Sequence, residues 1–103
     1  MFARLTFIDI LPEHAGKLKK IFAEEIIPVV KKQKGNIGIW LLEPTDAADR
    51  YISLTEWISV ADADVYQSSG VYMDLVNKMK NTYKSTPVLK AYYVTEGIIA
   101  AVS

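Results

Sequence analysis

The chain has 103 residues, half of them apolar and 11% aromatic, which suits one small folded domain over residues 1–103 and excludes a disordered segment. Twelve lysines and arginines cancel twelve aspartates and glutamates, so there is no electrostatic case for nucleic acid or an anionic membrane as partner. The absence of cysteine excludes disulfides, thiolate zinc sites and cysteine nucleophiles; no apolar run reaches the ~18 residues of a membrane span, and the opening MFARLTFID lacks a signal-peptide pattern, so a cytoplasmic protein is expected.

Phe2 to Ile10 alternates as a strand, with Phe2, Arg4, Thr6 and Ile8 on one face. Pro12 suits the first turn of a helix. From there Leu18, Ile21, Phe22, Ile26, Val29 and Val30 recur at helical spacing. Pro28 interrupts that pattern and predicts a kink or break near Glu24, whose carbonyl loses its donor. Gly35 is the stop. Asn36 to Glu43 is a second strand and Arg50 to Ile58 a third, close enough in sequence to form a hairpin. Ser59-Val60-Ala61-Asp62 has the form of a capping box. It opens a short helix carrying Val65 and Tyr66. After Gly70 a further helix follows, its stripe made of Tyr72, Leu75, Val76, Met79 and Tyr83, closed by Thr86-Pro87. Val88 to Thr95 is the last strand, and Gly97 breaks to a short apolar tail.

This β-α-β-β-α-β order predicts an α+β, ferredoxin-like unit: a four-stranded antiparallel sheet with helices on one face. The strands are apolar on both faces. In the second, Ile37, Ile39 and Leu41 oppose Trp40 and Leu42. In the third, Ile52, Leu54 and Ile58 oppose Tyr51 and Trp57. A sheet with one solvated face alternates more cleanly. A homodimer through the uncovered face is therefore expected, with the tail at 97–103 either crossing to the partner or frayed.

The layout resembles the antibiotic biosynthesis monooxygenase domain family, within the dimeric α/β barrel group. The resemblance is carried by Pro12 opening the first helix, Gly35 before IGIWLLEP, Leu54-Thr55-Glu56-Trp57 ending the third strand, Ser69, and Pro87-Val88 with Tyr92 and Val94 in the last strand. It implies a ligand pocket between sheet and helices. Family members often carry a histidine about nine residues after the strand-end tryptophan; here that place holds Tyr66. Heme-degrading members use such a histidine as iron ligand, and the only histidine here is His14. Oxygenase members can use an asparagine near the tryptophan, and the position four before Trp57 holds Ser53.

Candidate site residues follow. Trp57 can stack on a planar substrate, or fill the core. Tyr66 can exchange a proton with a substrate oxygen, although a phenol is a poor base at neutral pH, or be a half-buried aromatic. Tyr72 reads as core, with a pocket wall as the second reading. Arg4 can hold an anionic substrate oxygen, or pair with a carboxylate such as Glu56 or Asp9. Asp9 is a pocket group or a helix cap. His14 reads as a surface residue, with no partner for a metal site.

The expectation is thus a monooxygenase without cofactor or metal, acting on a small electron-rich aromatic such as a hydroquinone or polyphenol. Tyr66 and Trp57 would be catalytic; Arg4, Asp9, Tyr72 and Ser53 would bind substrate. The alternatives are a non-catalytic dimeric binding protein, an isomerase or lyase on the same scaffold, and a heme-binding protein.

Overall fold

The computed structural model describes residues 1–98. Most of the C-terminal tail expected at 97–103 lies outside that range. The elements are β1 (Phe2–Ile8), a 3-10 turn (Pro12–His14), α1 (Ala15–Ile21), a π turn (Phe22–Ile26), α2 (Ile27–Val30), β2 (Asn36–Leu42), β3 (Tyr51–Trp57), α3 (Val60–Gln67), α4 (Gly70–Met79), a 3-10 turn (Lys80–Thr82) and β4 (Val88–Tyr93). The four strands form one antiparallel sheet in the order β2-β3-β1-β4, as a split β-α-β unit requires.

Register decides which face the helices cover. Phe2, Arg4, Thr6 and Ile8 of β1 pair with Trp57, Thr55, Ser53 and Tyr51 of β3. Phe2, Ile8, Tyr51 and Trp57 are buried with Leu18, Phe22, Ile26 and Val30 of the first helix and Leu75 and Met79 of α4. The helix face of the sheet is thus apolar at both ends and polar in the middle, at Arg4, Thr6, Ser53 and Thr55.

The first helix explains its own π turn. Leu18, Phe22, Ile26 and Val30 are all buried and all four residues apart. Steps of four overshoot an α-helical turn by about 40° each, so an unbroken α-helix would rotate the stripe away from the sheet. The π turn absorbs this drift: the Ile27 N–H donates to the Phe22 carbonyl, five residues back. Pro28 supplies no N–H to Glu24, which lies inside that turn. The expected irregularity is there, as a π turn within a continuous helical rod.

Three expectations about elements need correction. Asn36 bonds through Nδ2 to the Gly38 and Glu56 carbonyls at the point where the β2–β3 register shifts. This bulge takes Ile37 out of step with Ile39 and Leu41 and leaves it exposed. Asp9 caps no helix: the first turn begins at Leu11 with no side-chain cap. His14 is half-buried rather than on the surface, and its Nδ1 is buried with no hydrogen-bond partner among the described residues. Half of the expected capping box forms: Ser59 Oγ accepts from the Asp62 N–H at 3.1 Å, while the Asp62 carboxylate lies against Gly35.

The other sheet face carries Leu5, Phe7, Trp40, Leu42, Ile52, Leu54, Val88 and Tyr92, and no helix among the described residues lies over it. Leu42, Trp40 and Tyr92 are 41–50% exposed. That is a contiguous apolar surface of the kind monomers rarely leave open.

Candidate active site

The polar middle of the sheet's helix face is the floor of a cavity of about 70 Å³. Arg4, Thr6, Ser53 and Thr55 form the floor, and Tyr66, Tyr72 and Tyr83 stand over it. Three elements deliver the phenols. Tyr66 is on the last turn of α3; Tyr72 is on the first turn of α4; Tyr83 follows the 3-10 turn after α4 and bridges back to Ile10. Ser69 sets the first two relative to each other, since its Oγ donates to the Tyr66 carbonyl at 2.6 Å and accepts from the Tyr72 N–H at 3.4 Å.

Trp57 is fully buried, and its indole N–H donates to Thr55 Oγ1 at 3.0 Å. It stacks against Tyr66 with centroids 5.1 Å apart and planes at 27°. Tyr66 meets Tyr72 edge-on at 5.4 Å. Trp57 therefore backs Tyr66 and is not a cavity wall itself.

Burial pushes the Tyr66 phenol up to about 12, helped by neighbouring Tyr72. Tyr83 is pushed up to about 12 for the same two reasons. Burial also raises Tyr72, with the Arg4 guanidinium opposing it. At neutral pH all three are neutral, so they are hydrogen-bond donors and weak acceptors, not bases. None of their hydroxyls has a hydrogen-bond partner among the described residues.

Arg4 is already engaged. Nη1 donates to the Ala63 carbonyl at 3.0 Å and Nη2 to Asp64 at 2.6 Å, while the guanidinium lies 5.4 Å from the Phe2 ring centroid. Its carboxylate partner is Asp64, neither Glu56 nor Asp9. The ion pair fixes α3 to the middle of β1.

Arg4, Ser53, Tyr66 and Tyr72 thus meet at one cavity. Asp9 does not join them; it lines a separate cleft of about 300 Å³ with Glu43, Asp49 and Tyr51. There Glu43 accepts from Lys19 Nζ at 2.6 Å and from the Tyr51 hydroxyl at 3.1 Å. A broader depression of about 460 Å³ opens near the β2–β3 loop, around Phe7, Leu42 and Ile52, far from the phenols. Thr6, Thr55 and Tyr83 are cavity residues that the sequence reading did not select. Strand parity with Arg4 and Ser53 points to the first two. Tyr83 falls on the same expected stripe as Tyr72, Val76 and Met79, which was the signal for it, although α4 itself ends at Met79.

The family model for antibiotic biosynthesis monooxygenases matches residues 1–78. No curated protein sequence matches the chain. Among solved structures, an antibiotic biosynthesis monooxygenase family protein from Deinococcus radiodurans superposes with a TM-score of 0.81 at 14% identity, covering 98% of this chain and 99% of that one. One from Caulobacter crescentus gives 0.80 at 16%, covering 92% and 90%. The heme-degrader MhuD from Mycobacterium tuberculosis, with two hemes in its active site, gives 0.80 at 19%, covering 95% and 99%. At such identities the likeness is one of fold.

Proposed function

The chain belongs to the antibiotic biosynthesis monooxygenase family, and we propose that it is a cofactor-independent oxygenase for a small electron-rich aromatic of the hydroquinone or polyphenol class. The observation that carries the reading is the meeting of three protonated phenols, Tyr66, Tyr72 and Tyr83, with Arg4 over a hydroxyl floor. In the proposed reaction a hydroquinone and dioxygen give a hydroxyquinone and water. The ring supplies all four electrons, one oxygen atom enters the ring, and the other leaves as water. The protein orients the ring, excludes water and donates hydrogen bonds to the oxygen that gathers negative charge. Tyr66 is the proposed proton-transfer group. Trp57 backs one face of Tyr66, and Thr6, Ser53 and Thr55 receive the substrate hydroxyls.

The cavity of about 70 Å³ is smaller than the ~150 Å³ of a cavity that admits benzene. Substrate admission therefore requires a wall to move. In the same reading the uncovered apolar sheet face is closed by a second copy of the chain, which makes the functional unit a homodimer.

Heme, which the Mycobacterium tuberculosis neighbour binds, does not fit the residues present. Among the described residues no histidine lines the cavity, and the Arg4 charge there is already met by Asp64. Nothing in the proposed reaction passes through heme.

One observation favours a second reading, a non-catalytic binding protein: the Arg4 charge is already met by Asp64. Oxygen uptake against a panel of hydroquinones and polyphenols separates the two. Saturable uptake that falls in Tyr66→Phe supports the oxygenase. Ligand-dependent thermal stabilisation with uptake no faster than boiled protein supports the binding protein and ends the oxygenase reading.

A further inference from the structure

The phenolic cavity has a neighbour. Outside α3 lies a cleft of about 200 Å³ lined by Gln33, Lys34, Asp62, Val65, Tyr66 and Ser69. Tyr66 is the one residue that lines both spaces. We infer that the outer cleft is a second subsite, for a hydroxyl-rich, uncharged substituent carried by the phenolic ring, and that Tyr66 is the movable wall between the two. This deepens the oxygenase reading and rests on it for the ring.

The inner cavity has to grow to admit a ring, and its walls differ in freedom. Thr6 and Ser53 are paired neighbours within the sheet. Met79 is buried in the core. Tyr66 sits one residue before the end of α3, and its hydroxyl has no hydrogen-bond partner among the described residues. Its ring rests on Trp57 at one face and meets Tyr72 edge-on, with no polar bond to break. Empty space lies beyond it. An outward swing of this ring joins the two spaces with the sheet undisturbed.

The chemistry of the outer walls selects the substituent. Lys34 supplies one positive charge and Asp62 one negative, so the cleft is balanced. A carboxylate there meets Asp62, and an ammonium meets Lys34. A hydroxyl suits both, because it accepts from the ammonium and donates to the carboxylate. Gln33 gives its amide N–H to the Val29 carbonyl at 3.1 Å, which leaves its side-chain oxygen to accept. Ser69 is already committed to Tyr66 and Tyr72.

The test is calorimetric binding without oxygen, comparing hydroquinone with its β-glucoside. Wild type is expected to bind the glucoside at least tenfold more tightly. Lys34→Ala combined with Gln33→Ala is expected to erase that advantage and leave hydroquinone affinity unchanged. Asp62→Asn is expected to raise affinity for 2,5-dihydroxybenzoate about tenfold, since the cleft becomes net positive. Equal affinity for the two probes, an advantage that survives the double substitution, or no binding by either overturns the subsite. Failure of Asp62→Asn to favour the dihydroxybenzoate overturns the charge assignment. Oxygen uptake with hydroquinone in the absence of any glucoside advantage removes the subsite and leaves the oxygenase standing. The expected binding pattern without oxygen uptake does the reverse.

Discussion

Trp57 and Tyr66 stack at 5.1 Å, and only the tyrosine of the pair faces the cavity. The division of labour gives opposite expectations for the two. Trp57 is fully buried, so Trp57→Ala should cost about 3–5 kcal/mol of stability, through lost burial and a cavity the neighbours cannot close. Denaturant unfolding measures this directly. A cost near zero would mean that Trp57 does not hold the core.

Tyr66→Phe removes only a hydroxyl that has no hydrogen-bond partner among the described residues. Stability should stay within about 0.5 kcal/mol. Turnover should fall roughly 10²-fold, the usual contribution of one positioned proton-transfer group. Unchanged turnover would remove Tyr66 from the chemistry.

The raised phenols set a pH window. Tyr66 and Tyr83 hold their protons to about pH 12 when folded, whereas an exposed tyrosine loses its proton near 10. Between those values the folded state binds more protons than the unfolded state, so stability falls as pH rises. The slope is at most about 1.4 kcal/mol per pH unit for each phenol. Below pH 10 both states are protonated and these groups add no pH dependence. Unfolding from pH 8 to 12 should show a flat region and then a decline, shallower in Tyr66→Phe and Tyr83→Phe. A decline beginning at neutral pH would contradict the origin assigned here.

The alternation of Phe2, Arg4, Thr6 and Ile8 was readable in the sequence, and so was the order of the elements. What parity could not say was which face the helices take, because β3 is apolar on both sides. The register supplies the answer by pairing Arg4 and Thr6 with Thr55 and Ser53. Pro28 announced an irregular first helix; the four-residue spacing of Leu18, Phe22, Ile26 and Val30 was the further clue to a π turn. Gly38 was the overlooked sign of a bulge, since glycine inside a strand often marks one. The Arg4–Asp64 pair joins residues 60 apart. No local pattern could announce it.

The uncovered sheet face makes its own prediction. Leu42 and Tyr92 are 41% and 50% exposed in the single chain. If the chain acted alone, Leu42→Asp and Tyr92→Asp would be nearly neutral, as most exposed substitutions are. A homodimer through this face predicts a shift from dimer to monomer and a loss of thermal stability that depends on protein concentration. Sedimentation equilibrium of wild type and the double variant decides between them. A wild-type monomer at all concentrations would exclude the dimer.

Gly35 joins fold to site in one residue. Its φ of +79° is costly for any side chain, and a Cβ added there would collide with the Asp62 carboxylate. Gly35 also anchors β3, since its carbonyl accepts from the Ile58 N–H at 2.8 Å. Gly35→Ala should therefore destabilise by about 1–3 kcal/mol from backbone strain alone, with a further loss from the displaced carboxylate. Asp62→Ala in the Gly35→Ala background should recover the collision and leave the strain. Thermal melts of the two single variants and the double variant measure this coupling. Strictly additive losses would mean that Asp62 gives way freely and that the close approach has no energetic consequence.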